Sequence, residues 1–438
     1  MNAIVRRSML KGEINAPPSK SYTHRAIAIA SLGGKSEVRY PLISEDTKAT
    51  ISAANCLGAV IEYDADRNKI AIEGVEGEPG TPEDVINAEN SGTTLRFFTA
   101  ISSLCEGVTV LTGDASLRLR PNTPLLNSLN DLGSEAFSTK GDGTPPIVVK
   151  GKLEGGKTVM DTQISSQFIS ALLITCPLAA KSSYIVANNL ASVPYMRMTL
   201  EVLEQGGIEI PIARLPSVAG SNNFSFHIEG SKRYELRTFT VPGDFSSASY
   251  LLAAAALTDS EITVGNLFPS AQGDSRIVEL LNDMGTEIRW NKETGFVNVK
   301  GVKAEGLKGV AVNMRENPDL VPTIAVLAAV ADGTTEIMDV AHLRYKETDR
   351  LRIVTEELRK MDAKIEERKD GLLIEGKALK AAKVHSHGDH RLAMALSLAA
   401  LCTRGETVIE DVECTGVSYP SFFDDMRSLG VDIDVDIK

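Results

Sequence analysis

"DFSSASYLLAAAALTDSEITVGNL", Asp244 to Leu267, opens on a small polar cluster, becomes an alanine- and leucine-rich helix, breaks at a serine and leaves as a β-rich stretch. A helix so uniformly apolar is of the kind that faces a core. The same order occurs in five other places, opening at "SKSYTHRAIAIASL", "NSGTTLRFFTAISSL", "SSQFISALLITCPLA", "PDLVPTIAVLAAV" and "GDHRLAMALSLAAL". The copies begin near Ser19, Asn90, Ser165, Asp244, Pro318 and Gly388, so successive starts lie 70 to 79 residues apart. Repetition at such a fixed interval is the signature of one structural unit used many times.

Each first helix is followed by a β-rich stretch and then by a second helix that closes on a small-residue turn. Five closures carry glycine, as in "LLNSLNDLGSEAF" and "DDMRSLGVDIDV", the usual stop for a helix. The sixth, "VTEELRKMDAKIEE", has Asp362 at that place. Six units divide as three plus three near "LRTFTVPGDFSS", Leu236 to Ser247, where Pro-Gly follows a strand. The expected fold is therefore α/β: two similar domains, each of three repeated helix-strand units with helices packed inside sheets. Met1 to about Ala16 forms a strand-like piece that the repeat alone assigns to neither half.

A chain of 438 residues is too long for one ordinary core, in agreement with two domains. Apolar residues make up 43% and charged residues 24%, the balance of a soluble globular protein. A formal net charge of −12 argues against nucleic-acid or anionic-membrane partners. Five cysteines without a CxxC pair fit a reducing, cytoplasmic setting, and no run is long enough for a signal peptide or a membrane span.

Against that acidic background, cations gather at the helix starts. The first copy places Lys20, Ser21 and Arg25 at the positive end of a helix dipole, where cations are disfavoured. The second carries Asn90, Gly92, Thr93 and Arg96; the third Ser165, Ser166 and Gln167. In the second half come Asp244, Ser246 and Ser247, then Asp319, then Asp389, His390 and Arg391. Helix starts expose unpaired N–H groups and attract anions. Any one of these would serve as an ordinary cap. Their recurrence at one place in the repeat points to anion sites converging on an inter-domain cleft.

Two loops add charge. "DASLRLRPNTP" supplies Arg118 and Arg120, two apart, so that one of them reaches a shared site if the loop is extended. "HLRYKETDRLRIVTEELRKM" supplies Lys346 and Arg350, four apart on one helix face, a repulsive spacing unless an anion or carboxylate lies between them. Asp319 and Glu347 are the candidate acid–base groups, each kept ionised by neighbouring cations. His385, His387 and His390 form the one histidine cluster, at a spacing that does not suggest a metal site, and no GxSxG, Walker or Rossmann fingerprint occurs.

"SKSYTHR", "NSGTTLR", "LRLRP", "SSQF", "GDFSSASY", "KETDR" and "DHRLAM" occur in this order and at matching spacing, and over nearly its whole length the chain resembles the 5-enolpyruvylshikimate-3-phosphate synthases, of the enolpyruvyl transferase family. The resemblance implies an inside-out α/β barrel in each domain, with residues 1–19 and 240–438 forming the second domain and 20–239 the first. It also implies transfer of the enolpyruvyl group of phosphoenolpyruvate to the 5-hydroxyl of shikimate 3-phosphate, by a monomer without metal or cofactor. Carried over by position, Lys20, Ser21, Arg25, Ser165, Ser166, Gln167, Ser192, Asp319 and Lys346 would hold shikimate 3-phosphate. Lys20, Gly92, Arg120, Gln167, Arg350 and Arg391 would hold phosphoenolpyruvate, and Asp319, Glu347 and Lys20 would move protons.

The chain departs from the family pattern at Val417, where a lysine is usual, at His342, where an asparagine is common, and at Thr94, where an alanine is often found. Gly92 is retained, which leaves room for the herbicide glyphosate. The rival transferase that acts on UDP-N-acetylglucosamine places a reactive cysteine in the loop where this chain reads "GDASLRLRP". An RNA 3′-phosphate cyclase, built from similar units, would need a basic surface. A non-catalytic anion-binding module would need the cations but neither Asp319 nor Glu347.

Overall fold

The computed structural model describes residues 1–216, 222–302 and 306–436. Contacts divide the chain into two units, one of Pro18–Val241 and one of Met1–Pro17 with Pro242–Lys438. These boundaries lie two residues from the 19/20 and 239/240 positions that the resemblance implies.

In the unit of Pro18–Val241, three helices are buried on almost every side: α1 (Lys20–Leu32), α3 (Gly92–Ile101) and α5 (Gln167–Thr175). The other unit has α7 (Phe245–Leu257), α9 (Val321–Val330) and α11 (His390–Ala400) in the same state. Alanine and serine fill much of α7 and α11, while α3 and α5 bury large side chains as well, Phe97, Phe98 and Phe168 among them, so the interior is close-packed with small and large residues together. In this second unit α7, α9 and α11 touch one another. The second helices of the repeats, α2 (Glu45–Cys56), α4 (Thr123–Asp131), α6 (Val193–Gln205), α8 (Ile277–Asp283), α10 (Arg350–Lys360) and α12 (Phe422–Ser428), are buried on one side only.

Among the described residues there are six four-stranded sheets, all of one pattern. An edge strand runs parallel to its neighbour, and the other two strands are antiparallel. In the sheet of β6 (Ile86–Asn87), β7 (Val108–Thr112), β8 (Glu135–Ser138) and β9 (Ile147–Lys150), the edge strand leads into α3, and β7 follows that helix.

The N-terminal piece is two strands rather than one. β1 (Asn2–Arg6) lies in the last sheet, antiparallel to both β23 (Glu406–Glu410) and β24 (Ile433–Asp436). β2 (Lys11–Asn15) leads into α1 yet lies parallel to β15 (Glu261–Gly265), which follows α7. Conversely, β14 (Thr238–Thr240) leads into α7 yet lies parallel to β3 (Lys35–Arg39), which follows α1. The two strands that precede the chain's two passages between units are thus exchanged.

The turn closing each second helix takes a left-handed backbone: Gly58 at φ +103°, Gly133 at +100°, Gly207 at +82°, Gly285 at +95°, Gly430 at +99°, and Asp362 at +67°. Aspartate tolerates this region better than most residues. Asp362 is also held there by Lys377 and Lys380, each at 3.0 Å.

Candidate active site

The side chains singled out above form two clusters, one in each unit. In the unit of Pro18–Val241, Pro17 and Pro18 end the preceding strand, and Ser19 takes the N-cap position of α1. Its side chain caps nothing: Ser19 Oγ is buried without a partner. Lys20, the first helical residue, pairs with Asp46 Oδ2 at 2.9 Å.

Arg25, one turn on, is 2% exposed. Its guanidinium donates to Thr199 Oγ1 at 2.8 Å and to the carbonyl oxygens of Ser21 and Tyr195, both at 2.9 Å, and lies 5.5 Å from the centre of the Phe97 ring. No carboxylate among the described residues pairs with it. Burial pulls its pKa down to about 10. A buried cation with only neutral partners is costly by itself and would be stabilised by an anion beside it.

Gly92 opens α3 beneath a second group of cations. A Cβ added there would lie 3.2 Å from Arg120 Nη1, 3.6 Å from Arg96 Nη1 and 3.7 Å from Gln167 Oε1. Arg96 donates to Gln167 Oε1 at 2.5 Å and to Ser165 Oγ at 3.3 Å, while Gln167 Nε2 donates to Thr93 Oγ1 at 2.9 Å. Arg120, 6% exposed, reaches Asn90 Oδ1 at 3.0 Å. Arg118 is exposed and turns away to the Gly113 carbonyl at 2.6 Å, so of the two loop arginines only Arg120 joins the group. Ser166 takes the N-cap position of α5. Ser192 takes that of α6, in a left-handed conformation, and Arg25 meets the same helix's first turn at Tyr195.

The second cluster belongs to the other unit and centres on Arg350, the first residue of α10 and 1% exposed. Its Nη1 donates to Asp319 Oδ1 at 2.9 Å, its Nη2 to Glu347 Oε2 at 2.5 Å, and its Nε to Asp389 Oδ2 at 2.7 Å. Asp389 caps α11 by accepting the Arg391 N–H at 3.0 Å, and the Arg391 side chain returns to Asp319 Oδ2 at 3.0 Å. Lys346 Nζ lies 3.8 Å from Asp319 Oδ1. Burial alone would lower the pKa of Arg350, but Asp389, Glu347 and Asp319 outweigh it and hold the group well above the ordinary arginine value. Lost solvation and the charge of Arg350 pull Lys346 below the usual lysine range, against the opposing pull of Asp319.

Lys346 and Arg350 are not on one helix face, because α10 begins only at Arg350 and Lys346 follows the short 3-10 turn of Ala341–Tyr345. The carboxylate between the two cations is that of Asp319, which the sequence places 27 residues before Lys346. Asp46 and Asp389, the partners of Lys20 and Arg350, escaped the sequence reading in those roles, although both sit at helix starts where acids are expected anyway. Two of the three histidines are engaged elsewhere: His387 Nε2 meets Glu357 Oε1 at 2.8 Å, and His385 Nδ1 accepts the His387 N–H at 2.8 Å, while His390 opens α11.

A model of the EPSP synthase (3-phosphoshikimate 1-carboxyvinyltransferase) family matches residues 4–426. The chain belongs to that family. It is 53% identical over 434 residues to the 3-phosphoshikimate 1-carboxyvinyltransferase of Methanococcoides burtonii and 52% identical over 435 residues to that of Methanosarcina acetivorans, with 99% of both chains covered in each case. Among solved structures, an EPSP synthase from Acinetobacter baumannii superposes with a TM-score of 0.81 at 26% identity, covering 99% of each chain. At the positions where this EPSP synthase family member departs from the pattern, Val417 is 6% exposed and brings no charge. His342 is 7% exposed, and its Nε2 has no partner. Burial and the nearby Lys346 and Arg315 push its pKa down to about 3, so the imidazole is neutral. The Thr94 hydroxyl is taken up by Ser91 Oγ and Thr50 Oγ1, each at 2.7 Å.

Proposed function

We propose that this chain transfers the enolpyruvyl group of phosphoenolpyruvate to the 5-hydroxyl of shikimate 3-phosphate and releases inorganic phosphate. The observation that carries the reading is the Arg350 cluster, in which two carboxylates suited to proton transfer, Asp319 and Glu347, are gripped by cations of the kind that bind a phosphate and a carboxylate. Arg25, a buried cation left without a carboxylate, supplies the complementary feature for the phosphate of shikimate 3-phosphate.

In this reading Lys20, Ser21, Arg25, Ser165, Ser166, Gln167, Ser192, Asp319 and Lys346 hold shikimate 3-phosphate. Lys20, Gly92, Arg120, Gln167, Arg350 and Arg391 hold phosphoenolpyruvate. A carboxylate, Asp319 or Glu347, takes the 5-hydroxyl proton as that oxygen bonds to C2 of phosphoenolpyruvate, while a second group, with Lys20 as a candidate, protonates C3. The tetrahedral adduct then loses a proton from C3 and expels phosphate, which restores the double bond. Cationic character at C2 is stabilised by the carboxylates, and the departing phosphate by Arg350, Arg391 and Arg120. Exclusion of water around the bound substrates would strengthen every one of these interactions. An inside-out barrel in each domain, a monomer and a cytoplasmic location belong to the same proposal. The absence of any long apolar helix able to cross a membrane among the described residues, and the free cysteines, are compatible with it.

The test measures phosphate release from phosphoenolpyruvate with shikimate 3-phosphate or with UDP-N-acetylglucosamine as acceptor, for wild type and Glu347→Gln. Release with the first acceptor alone, reduced roughly a hundredfold in the variant, is expected. Release with the second acceptor would establish the rival transferase. Tight binding of shikimate 3-phosphate without turnover would leave a binding module in which Val417 is a real loss.

A further inference from the structure

One carboxyl near the Arg350 cluster belongs to none of its ion pairs. Asp274 lies in the short 3-10 turn of Gly273–Arg276 and is 3% exposed. Its Oδ2 accepts a hydrogen bond from the hydroxyl of Ser246, in the first turn of α7, and its Oδ1 has no partner. The same loop grips the start of α7 twice more: Gln272 Oε1 accepts the Phe245 N–H at 3.1 Å, and Gln272 Nε2 donates to the Gly243 carbonyl at 2.8 Å. Asp274 therefore has little freedom to turn towards other donors.

The neighbouring acids are treated differently. Asp389 accepts four hydrogen bonds, from Arg350 Nε and Nη2, Thr348 Oγ1 and the Arg391 N–H. Asp319 is shared by Arg350, Arg391 and Lys346. Asp274 has one hydroxyl and no cation at ion-pair distance among the described residues. A buried carboxylate with a single neutral donor is costly, whereas the protonated acid needs only one acceptor for its O–H and leaves a weakly polar oxygen behind. The cluster without Asp274 already balances three cations, Lys346, Arg350 and Arg391, against three carboxylates, Asp319, Glu347 and Asp389.

We infer that Asp274 is a positioning residue that works as an uncharged acid beside Asp319 and Arg391, keeping a fourth negative charge off the cluster that receives an anionic substrate. The charged groups acting on it are Asp319, Arg391 and Asp244, from the turn before α9, from α11 and from the start of α7. Burial and the charge of Asp319 push its carboxyl up to about 7, with Asp244 adding to the rise and Ser246 and Arg391 opposing it. Its ionisation in the mildly alkaline range weakens the hold on phosphoenolpyruvate. The effect on that substrate rests on the function proposed above; the charge state of Asp274 does not.

The experiment compares wild type with Asp274→Asn, which keeps the size and lacks the charge. At saturating shikimate 3-phosphate, the ratio of wild-type to variant KM for phosphoenolpyruvate should be near one at pH 6 and rise by about threefold or more by pH 8.5, with kcat changing less. Ionisation of the substrates is common to both proteins and cancels. Carbonyl NMR of protein labelled at aspartate carboxyl carbons should show a group titrating near neutrality that vanishes in the variant. Because the folded pKa lies above that of the unfolded chain, wild type loses stability as pH rises through this window. The Tm of the variant relative to wild type should therefore climb from pH 4 to pH 7.

Ser246→Ala, which removes only the hydroxyl that favours the ionised form, should move the titration upwards and decides the matter should the asparagine variant not fold. A flat KM ratio in an active enzyme overturns the tuning role, and the absence of a titrating aspartate that depends on residue 274 overturns the uncharged acid. If wild type turns over neither acceptor, the functional reading fails, and the NMR and thermal measurements still judge Asp274.

Discussion

Arg25, in the second turn of α1, and Arg350, the first residue of α10, are both buried arginines, 2% and 1% exposed, yet their surroundings are opposite. Arg350 meets three carboxylates; Arg25 meets two backbone carbonyls and a threonine hydroxyl. The pKa shifts follow, upward for Arg350 and down to about 10 for Arg25. A guanidinium saturated by internal acids fixes those acids in place, whereas one with neutral partners retains most of its charge for a ligand. Arg350 thus holds Asp319 and Glu347 in place, whereas it is the proposed function that gives Arg25 a ligand to receive.

The sharpest way to break this contrast is to replace each arginine by methionine. Arg350→Met strands Asp389, Asp319 and Glu347, and thermal or denaturant unfolding should register a loss of about 3–5 kcal/mol, with activity gone. Arg25→Met leaves no acid unpaired and should cost stability about 1 kcal/mol or less. Its affinity for shikimate 3-phosphate, read by calorimetry, should fall about a hundredfold, the contribution of a charge-assisted phosphate contact. Equal stability losses in the two variants would erase the distinction.

A smaller effect extends the comparison to a neutral base among cations. The pKa of His342 is depressed to about 3, so the unfolded chain binds the proton more readily. The stability this provides is complete above pH 6.5 and is lost as pH falls towards 3, amounting to as much as about 2 kcal/mol by pH 5. Tm measured between pH 7 and pH 5 should fall less steeply in His342→Asn than in wild type. The smallest expected effect concerns Asp362, the left-handed residue among five glycines. Asp362→Gly relieves strain but loses two half-exposed ion pairs, so Tm should hardly move, whereas Asp362→Val should lower it.

Much of the architecture was readable because it is written locally. The alanine-rich helices, the small polar residues that start them and the left-handed turns that close their partners all depend on residues a few positions apart. The N-terminal piece was harder: β1 and β2 look like one strand segment, and nothing in their composition says that they enter two different sheets. The same limit applies to the candidate site. "KETDR" announced a charged helix start, but as a regular helix it would have set Lys346 and Arg350 against each other, and the acid that reconciles them lies at the opening of the same repeat, 27 residues before Lys346. Ser246 and Asp244 read as ordinary caps, and the Asp274 carboxyl behind them left no signal at all.

From residue order come the six repeats, the places where helices start, and a surplus of cations at those starts in an acidic chain, because periodicity and capping act over one or two turns. Folding supplied the pairings that give those residues their properties. Arg350 meets an acid 39 residues away, Arg391 one 72 away, Arg25 a hydroxyl 174 away and Arg6 a carboxylate 400 away. Which partner a buried charge finds depends on where desolvated space brings side chains together. That space exists only once distant segments have packed.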